Sequence, residues 1–213
     1  MGVDMTPYYQ DDWATLYHGD CRDLLPGMTA DAVFADPPYG AGVAAWDALS
    51  PREWLDLMPA VAPVLAVTPG QRNLLTMPSE VGDLRYRWTL AAVMTNGTSR
   101  GDVGFGNWIP VPIWTREGVS LYGPAQDVHL FGNPRSRGLP ASIQSDHPSP
   151  KPLAIMRWIV GLLPGVSILD PFAGSGTTLV AAKSLGRPSV GIEREERYCA
   201  LTAARLAQGV LGL

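Results

Sequence analysis

Asp36-Pro37-Pro38-Tyr39 sets a carboxylate, two residues without a backbone N–H and an aromatic ring in four consecutive positions. Proline fixes φ and cannot donate a hydrogen bond, so the tetrapeptide is a stiff corner that offers acceptors and a π face. It follows the apolar run Ala32-Val33-Phe34-Ala35, which reads as a buried parallel strand ending at the aspartate. Ligands of open α/β sheets bind at that carboxyl edge. The corner suits a flat ring bearing an amino group. Asp-Pro and Pro-Pro pairs are also common turn punctuation, so the reading depends on what the corner faces.

A second stretch supplies a candidate. Asp170-Pro171-Phe172-Ala173-Gly174-Ser175-Gly176-Thr177-Thr178 reads as a strand end, a glycine-rich turn and a helix start. Glycines permit φ > 0 and close approach of backbone to a ligand. The helix N-terminus adds free N–H groups and a positive dipole end. The stretch lacks the lysine of a phosphate-binding P-loop, which disfavours nucleoside triphosphate hydrolysis. Glu193 ends the next strand, after Val190-Gly191-Ile192, at the place where an acidic residue takes ribose hydroxyls. Its alternative is a solvated acid at a helix start, in Glu193-Arg194-Glu195-Glu196. His147-Pro148-Ser149-Pro150-Lys151-Pro152 is a stiff lead into a helix and can bring Ser149 and Lys151 to a carboxylate of the same ligand. His147 itself reads as a packed or surface residue.

These stretches need elements to position them. Strands are expected over residues 14–17, 32–35, 64–68, 88–95, 108–115, 128–131, 166–169 and 189–192. Asp20 is placed to cap a short helix through Leu25, and Ser50 with Pro51 starts a helix running through Met58. Further helices are expected over 151–163, 176–185 and 195–206, with a weaker one over 72–84. Strand-helix alternation in the last third implies parallel pairing with right-handed crossovers. The strand over 166–169 is expected beside 32–35, so that Asp170 and Asp36 share one sheet edge. Residues 116–146, rich in Gly, Pro, Ser and Asn, read as an insertion over one face.

The chain has 213 residues, 46% of them hydrophobic and 17% charged, which suits one sizeable core. The net charge of -4 does not announce a nucleic-acid binder, so any DNA contact requires a local basic surface. Only Lys151 and Lys183 of the 16 basic residues are lysines, a bias that a GC-rich genome also produces. Cys21 and Cys199 lack metal-ligand spacing and read as reduced thiols of an intracellular, cytoplasmic protein. The polar start, Met1 to Trp13, has no apolar signal region, and no run approaches a membrane span.

The four stretches, in this order and at strand ends, resemble the permuted, beta-type amino-methyltransferases of DNA, which methylate adenine N6 or cytosine N4 with S-adenosylmethionine. The resemblance covers residues 15–39 and 147–206 well and the middle in outline. It implies a Rossmann-like α/β fold: a mostly parallel seven-stranded sheet with one antiparallel strand, helices on both faces, and a single domain over 1–213. It also implies roles. Asp170, Phe172, Ala173, Gly174, Ser175, Gly176 and Thr177 would line the methionine part of the cofactor. Glu193 would bind the ribose. Asp20 and the backbone of Cys21 would meet the cofactor's adenine, with Ser149 and Lys151 at its carboxylate. Asp36, Pro37, Pro38 and Tyr39 would hold the target base, and Asp36 would also contact the cofactor. Ser149 stands where the family more often has Thr, which keeps the hydroxyl. Residues 116–146 are short for a target-recognition segment, which puts recognition of a long site in doubt.

The base must leave the stack to be methylated. Asp36 and the Pro37 carbonyl would accept hydrogen bonds from its exocyclic amine, and Tyr39 would stack on it. No metal and no covalent nucleophile are required. Within the resemblance, Asp at the first position of the motif leans to adenine, whereas Ser leans to cytosine N4. The rival readings are an RNA or protein methyltransferase and a non-catalytic nucleic-acid-binding module. Arg100, Arg116, Arg135 and Arg137 are nearly cancelled by Asp102, Glu117, Asp127 and Asp146, so DNA binding is expected to be weak and salt-sensitive, or helped by homodimerisation. No membrane or restriction partner is evident, and the compact chain resembles phage or orphan bacterial enzymes.

Overall fold

Burial on alternate faces of short apolar strands organises the chain. The computed structural model describes residues 5–37, 51–95, 99–101, 104–121, 126–132 and 151–208. In β3 (Ala32–Ala35) and β4 (Val64–Val67) every residue is buried. Successive side chains of a strand point to opposite faces. Ala32, Phe34, Val64 and Ala66 accordingly join one core with Ile155, Met156, Ile159 and Val160 of a covering helix. Val33, Ala35, Leu65 and Val67 join another with Trp54, Leu55, Met58 and Val61. A strand buried on both faces belongs in the middle of a parallel sheet with helices on each side.

The remaining strands are β1 (Tyr9–Gln10), β2 (Ala14–His18), β5 (Glu80–Val81), β6 (Leu84–Met94), β7 (Ser99–Gly101), β8 (Gly104–Gly106), β9 (Trp108–Thr115), β10 (Val128–Phe131), β11 (Ile168–Asp170) and β12 (Ser189–Glu193). The main sheet runs β1-β2-β12-β11-β3-β4-β9-β6-β10, with β5 on β6, and β7 and β8 form a separate pair. From β2 to β6 lie the seven expected strands, and in that path β9 alone is antiparallel to its neighbours. The described sheet is larger than expected, ten strands, because β1 and β5 add antiparallel pairs and β10 adds a parallel edge. β10 is the strand expected at 128–131 within the insertion.

The helices are α1 (Cys21–Leu24), α2 (Pro51–Leu55), α3 (Met58–Val61), α4 (Gly70–Asn73), α5 (Leu153–Leu162), α6 (Thr177–Ser184) and α7 (Glu196–Ala207). Two expectations fail locally. The helix expected from Pro51 through Met58 is two helices, since Pro59 has no N–H for the carbonyl of Leu55 and its ring would clash there. The helix expected over 72–84 is α4, a 3₁₀ turn at Leu74–Thr76 and then β5. Met77 precedes Pro78 and is extended (φ -66°, ψ 135°), as a residue before proline prefers. Gly82 then turns the chain at φ 59° into β6, which begins at Leu84 rather than 88. No helix among the described residues is long and apolar enough to cross a membrane.

Candidate active site

The parallel strands deliver a row of polar residues to one edge of the sheet. In spatial order β2, β12, β11, β3, β4, the strand ends carry Asp20, Glu193, Asp170, Asp36 and Thr68. Register keeps them level. Glu193 is opposite His18, Leu169 is opposite Val33, and Ala35 is opposite Val67. The ladder continues past the strands, where Gly19 N donates to Glu193 O (2.9 Å) and Thr68 N to Ala35 O (2.9 Å). Asp170 and Asp36 therefore share the edge, as expected, on adjacent strands.

The loop after β11 is held by side chains that bond its backbone. Asp170 is buried, its Oδ1 accepting from Phe172 N at 2.9 Å. Burial pushes its carboxyl up to about 7, opposed by hydrogen bonds from Thr178 and Phe172 and reinforced by the charges of Asp36 and Glu193. Glu193 Oε2 accepts from Gly174 N (2.7 Å) and Oε1 from Glu195 N (2.7 Å). Burial also raises the Glu193 carboxyl above its ordinary range. Each Glu193 oxygen takes one backbone N–H in these bonds, and a carboxylate oxygen has about two lone-pair sites. Gly176 caps α6 at φ 75°. A Cβ there would lie 2.4 Å from Thr202 Cγ2, so both its conformation and its space require glycine.

Two residues that sequence reasoning passed over staple this loop from α7. Thr202 Oγ1 donates to Gly174 O at 2.9 Å. Arg205 Nη1 donates to Ser175 O and to Thr177 Oγ1 (3.1 Å). Burial lowers the Arg205 guanidinium to about 10. Their spacing of three on one helix puts both on one face. That spacing is the only signal in the sequence, and it is shared by many structural pairs.

Asp36 is held differently. Thr68 Oγ1 donates to its Oδ1 at 2.5 Å, and Lys151 Nζ donates to its Oδ2 at 2.5 Å. Lys151 was expected at a ligand carboxylate together with Ser149, and the structure brings it to Asp36, an ion pair with side chains 14% and 21% exposed. Pro37 follows Asp36 in the described chain, while Pro38, Tyr39, His147 and Ser149 lie outside the described residues. Trp54 of α2 packs edge-on against Phe172 (5.3 Å, 86°) and so ties the helix after the corner to the glycine loop.

At the far end of the row, Asp20 caps α1 by accepting from Arg22 N, and takes Arg22 Nε and Nη2 at 2.9 and 2.8 Å. Arg22 holds its carboxyl below the usual carboxylate range. Arg22 also reaches Glu53 of α2 (3.0 Å). The thiols of Cys21 and Cys199 are both buried and pushed up to about 12, so both stay protonated at neutral pH.

The family of N6 and N4 methyltransferases, described as DNA methylase, matches residues 98–204, just over half of the chain. The chain belongs to this family. The matched span of this DNA methylase holds Lys151, the glycine loop and Glu193, while the Asp36 corner lies before it. Similarity to curated relatives extends over nearly the whole methylase. The type II methyltransferase M2.LlaDCHI of Lactococcus lactis subsp. cremoris is 26% identical over 98% of this chain and 95% of its own. M2.DpnII of Streptococcus pneumoniae is 26% identical over 96% and 94%. Among solved structures, the M1.HpyAVI–SAM complex superposes with a TM-score of 0.72 at 23% identity, covering 90% of this methylase and 99% of that chain. The PvuII DNA methyltransferase (cytosine-N4-specific) gives 0.70 at 18% identity, covering 97% and 90%. The fold of this methylase is theirs.

Proposed function

We propose that this methylase transfers a methyl group from S-adenosylmethionine to the exocyclic amine of a flipped DNA base, and that the base is adenine, methylated at N6. The observation that carries the reading is the placement of Asp36 at one sheet edge with the glycine loop and Glu193, on neighbouring strand ends. The residues present suit the cofactor. Glu193 is a buried acceptor at a strand end, able to take ribose hydroxyls in addition to its backbone donors. Phe172 to Thr177 form a loop whose glycines let a ligand approach its backbone, beside the methionine part of the cofactor. Asp170, buried, shapes that loop through Phe172 N. Asp20, steadied by Arg22, and the backbone of Cys21 serve the adenine end. When bound, S-adenosylmethionine supplies an electrophilic methyl group.

The rest falls to the chain. The Asp36 carboxylate and the Pro37 carbonyl accept from the two amine N–H groups. This favours the pyramidal geometry in which the nitrogen lone pair leaves conjugation with the ring. Positive charge grows on that nitrogen, and Asp36 offsets it in place. Tyr39 stacks on the flipped base, worth about 1–3 kcal/mol. Fixed placement of the amine supplies further acceleration. Asp at the first position of the corner supports adenine over cytosine, and the bacterial relatives support action in a bacterial or phage-infected cytoplasm. Methylating DNA with the purified chain, digesting it to nucleosides and weighing them tests the reading. N6-methyladenine is expected, and N4-methylcytosine without it overturns the choice of base.

A further inference from the structure

Asp36 receives its two donors from distant parts of the chain, 32 residues away at Thr68 and 115 residues away at Lys151. We propose that Thr68 is a positioning residue for methyl transfer: with Lys151 it fixes the plane of the Asp36 carboxylate that receives the target amine. The inference rests on the reading of Asp36 as the amine acceptor.

Thr68 is placed by the sheet. It directly follows β4, its N–H extends the β3–β4 ladder to Ala35 O, and it is 1% exposed. A β-branched side chain is stiff at χ1, so the hydroxyl has few other directions. Each oxygen of the carboxylate is thus held by a donor from a different part of the chain, Oδ1 by Thr68 and Oδ2 by Lys151. A growing positive charge is offset best by a carboxylate already held in place.

Thr68→Val removes the hydroxyl while keeping the shape of the buried side chain. Its single-turnover methylation rate is expected to fall about ten-fold or more, the value of a hydrogen bond to a charged group. S-adenosylmethionine affinity by calorimetry should stay within about two-fold, and Thr68→Ser should recover the rate to within about three-fold. Lys151→Met should lower the rate likewise, and Lys151→Arg should recover it in part. If Thr68→Val shows no folding transition, the Lys151 pair decides. An unmoved rate in Thr68→Val overturns the inference, provided Asp36→Ala abolishes transfer. If Asp36→Ala still transfers methyl groups, the reading of Asp36 itself is wrong. A Lys151→Met chain that loses cofactor affinity while its rate at saturating cofactor is unmoved assigns Lys151 to the cofactor's carboxylate and overturns its part here.

Discussion

Two carboxylate sites lie side by side on one sheet edge and are held in opposite ways. Asp170 takes a backbone N–H two residues away, and Glu193 takes two, at separations of 2 and 19 residues. These backbone donors come from the turns that follow β11 and β12. Asp36 takes side-chain donors 32 and 115 residues away. The first arrangement fixes a shape and keeps its carboxyls buried with raised proton affinity. The second holds a half-buried carboxylate between a hydroxyl and an ammonium. The difference suits a division of labour: a rigid loop for holding a ligand, and a tuned acceptor for a group on which charge develops.

The largest expected effect separates the two sites outright. Asp36→Ala should abolish methyl transfer and leave S-adenosylmethionine affinity within about three-fold, since binding energy realised only during reaction appears in rate. Calorimetry and a radiolabel transfer assay measure the two. Equal loss of both would merge the sites and break the comparison. Glu193→Ala should do the converse and weaken cofactor affinity about 10- to 100-fold, as expected for hydrogen bonds to a charged group. A Kd equal to that of the parent chain removes Glu193 from the ribose.

Gly176→Ala sharpens the claim that the loop is a built shape. The left-handed backbone alone costs about 1–2 kcal/mol for a residue with a Cβ, and the contact with Thr202 adds to it. Chemical denaturation should show at least that loss, with cofactor affinity falling too, and an unchanged midpoint would mean that the loop relaxes freely. The smallest effect is in pH dependence. Asp170 has a folded value of about 7 against 3.8 ordinarily. Between these values the folded chain holds a proton that the unfolded chain releases. Its contribution to stability is therefore full below about pH 4 and is lost as pH rises through about 7. Asp170→Asn should flatten that part of the stability profile relative to the parent. A parallel pair of profiles would show that Asp170 is not the group responsible.

Legibility in the sequence follows the same division. The corner, the glycine loop and Glu193 were visible because each is a strand end followed by residues whose backbone restrictions are local. The uninterrupted apolar runs Ala32–Ala35 and Val64–Val67 read as strands, and both are buried on each face of the sheet. Where a local signal misled, another local rule prevailed. Pro59 broke the helix that Ser50 and Pro51 signal, and Pro78 the weaker helix expected over 72–84. The ten-strand extent escaped because β1 and β5 are two residues long and owe their existence to a partner strand, and because the pairing of β10 with β6 is a tertiary contact that its own four residues do not specify. Thr202 and Arg205 escaped because a staple to another element leaves no pattern along its own helix.

What the sequence determined by itself is the set of strand ends and the chemistry each carries, because φ restrictions, glycine freedom and alternation act over a few residues. The tertiary structure decided which ends stand together. It placed β11 between β12 and β3, and so set Asp170 beside Asp36 although 134 positions separate them (170 − 36). It also decided what holds Asp36, whose partners Thr68 and Lys151 are fixed by parallel pairing and by the approach to α5. What a carboxylate can do depends on the donors within a few ångströms of it, and only the folded chain specifies that neighbourhood.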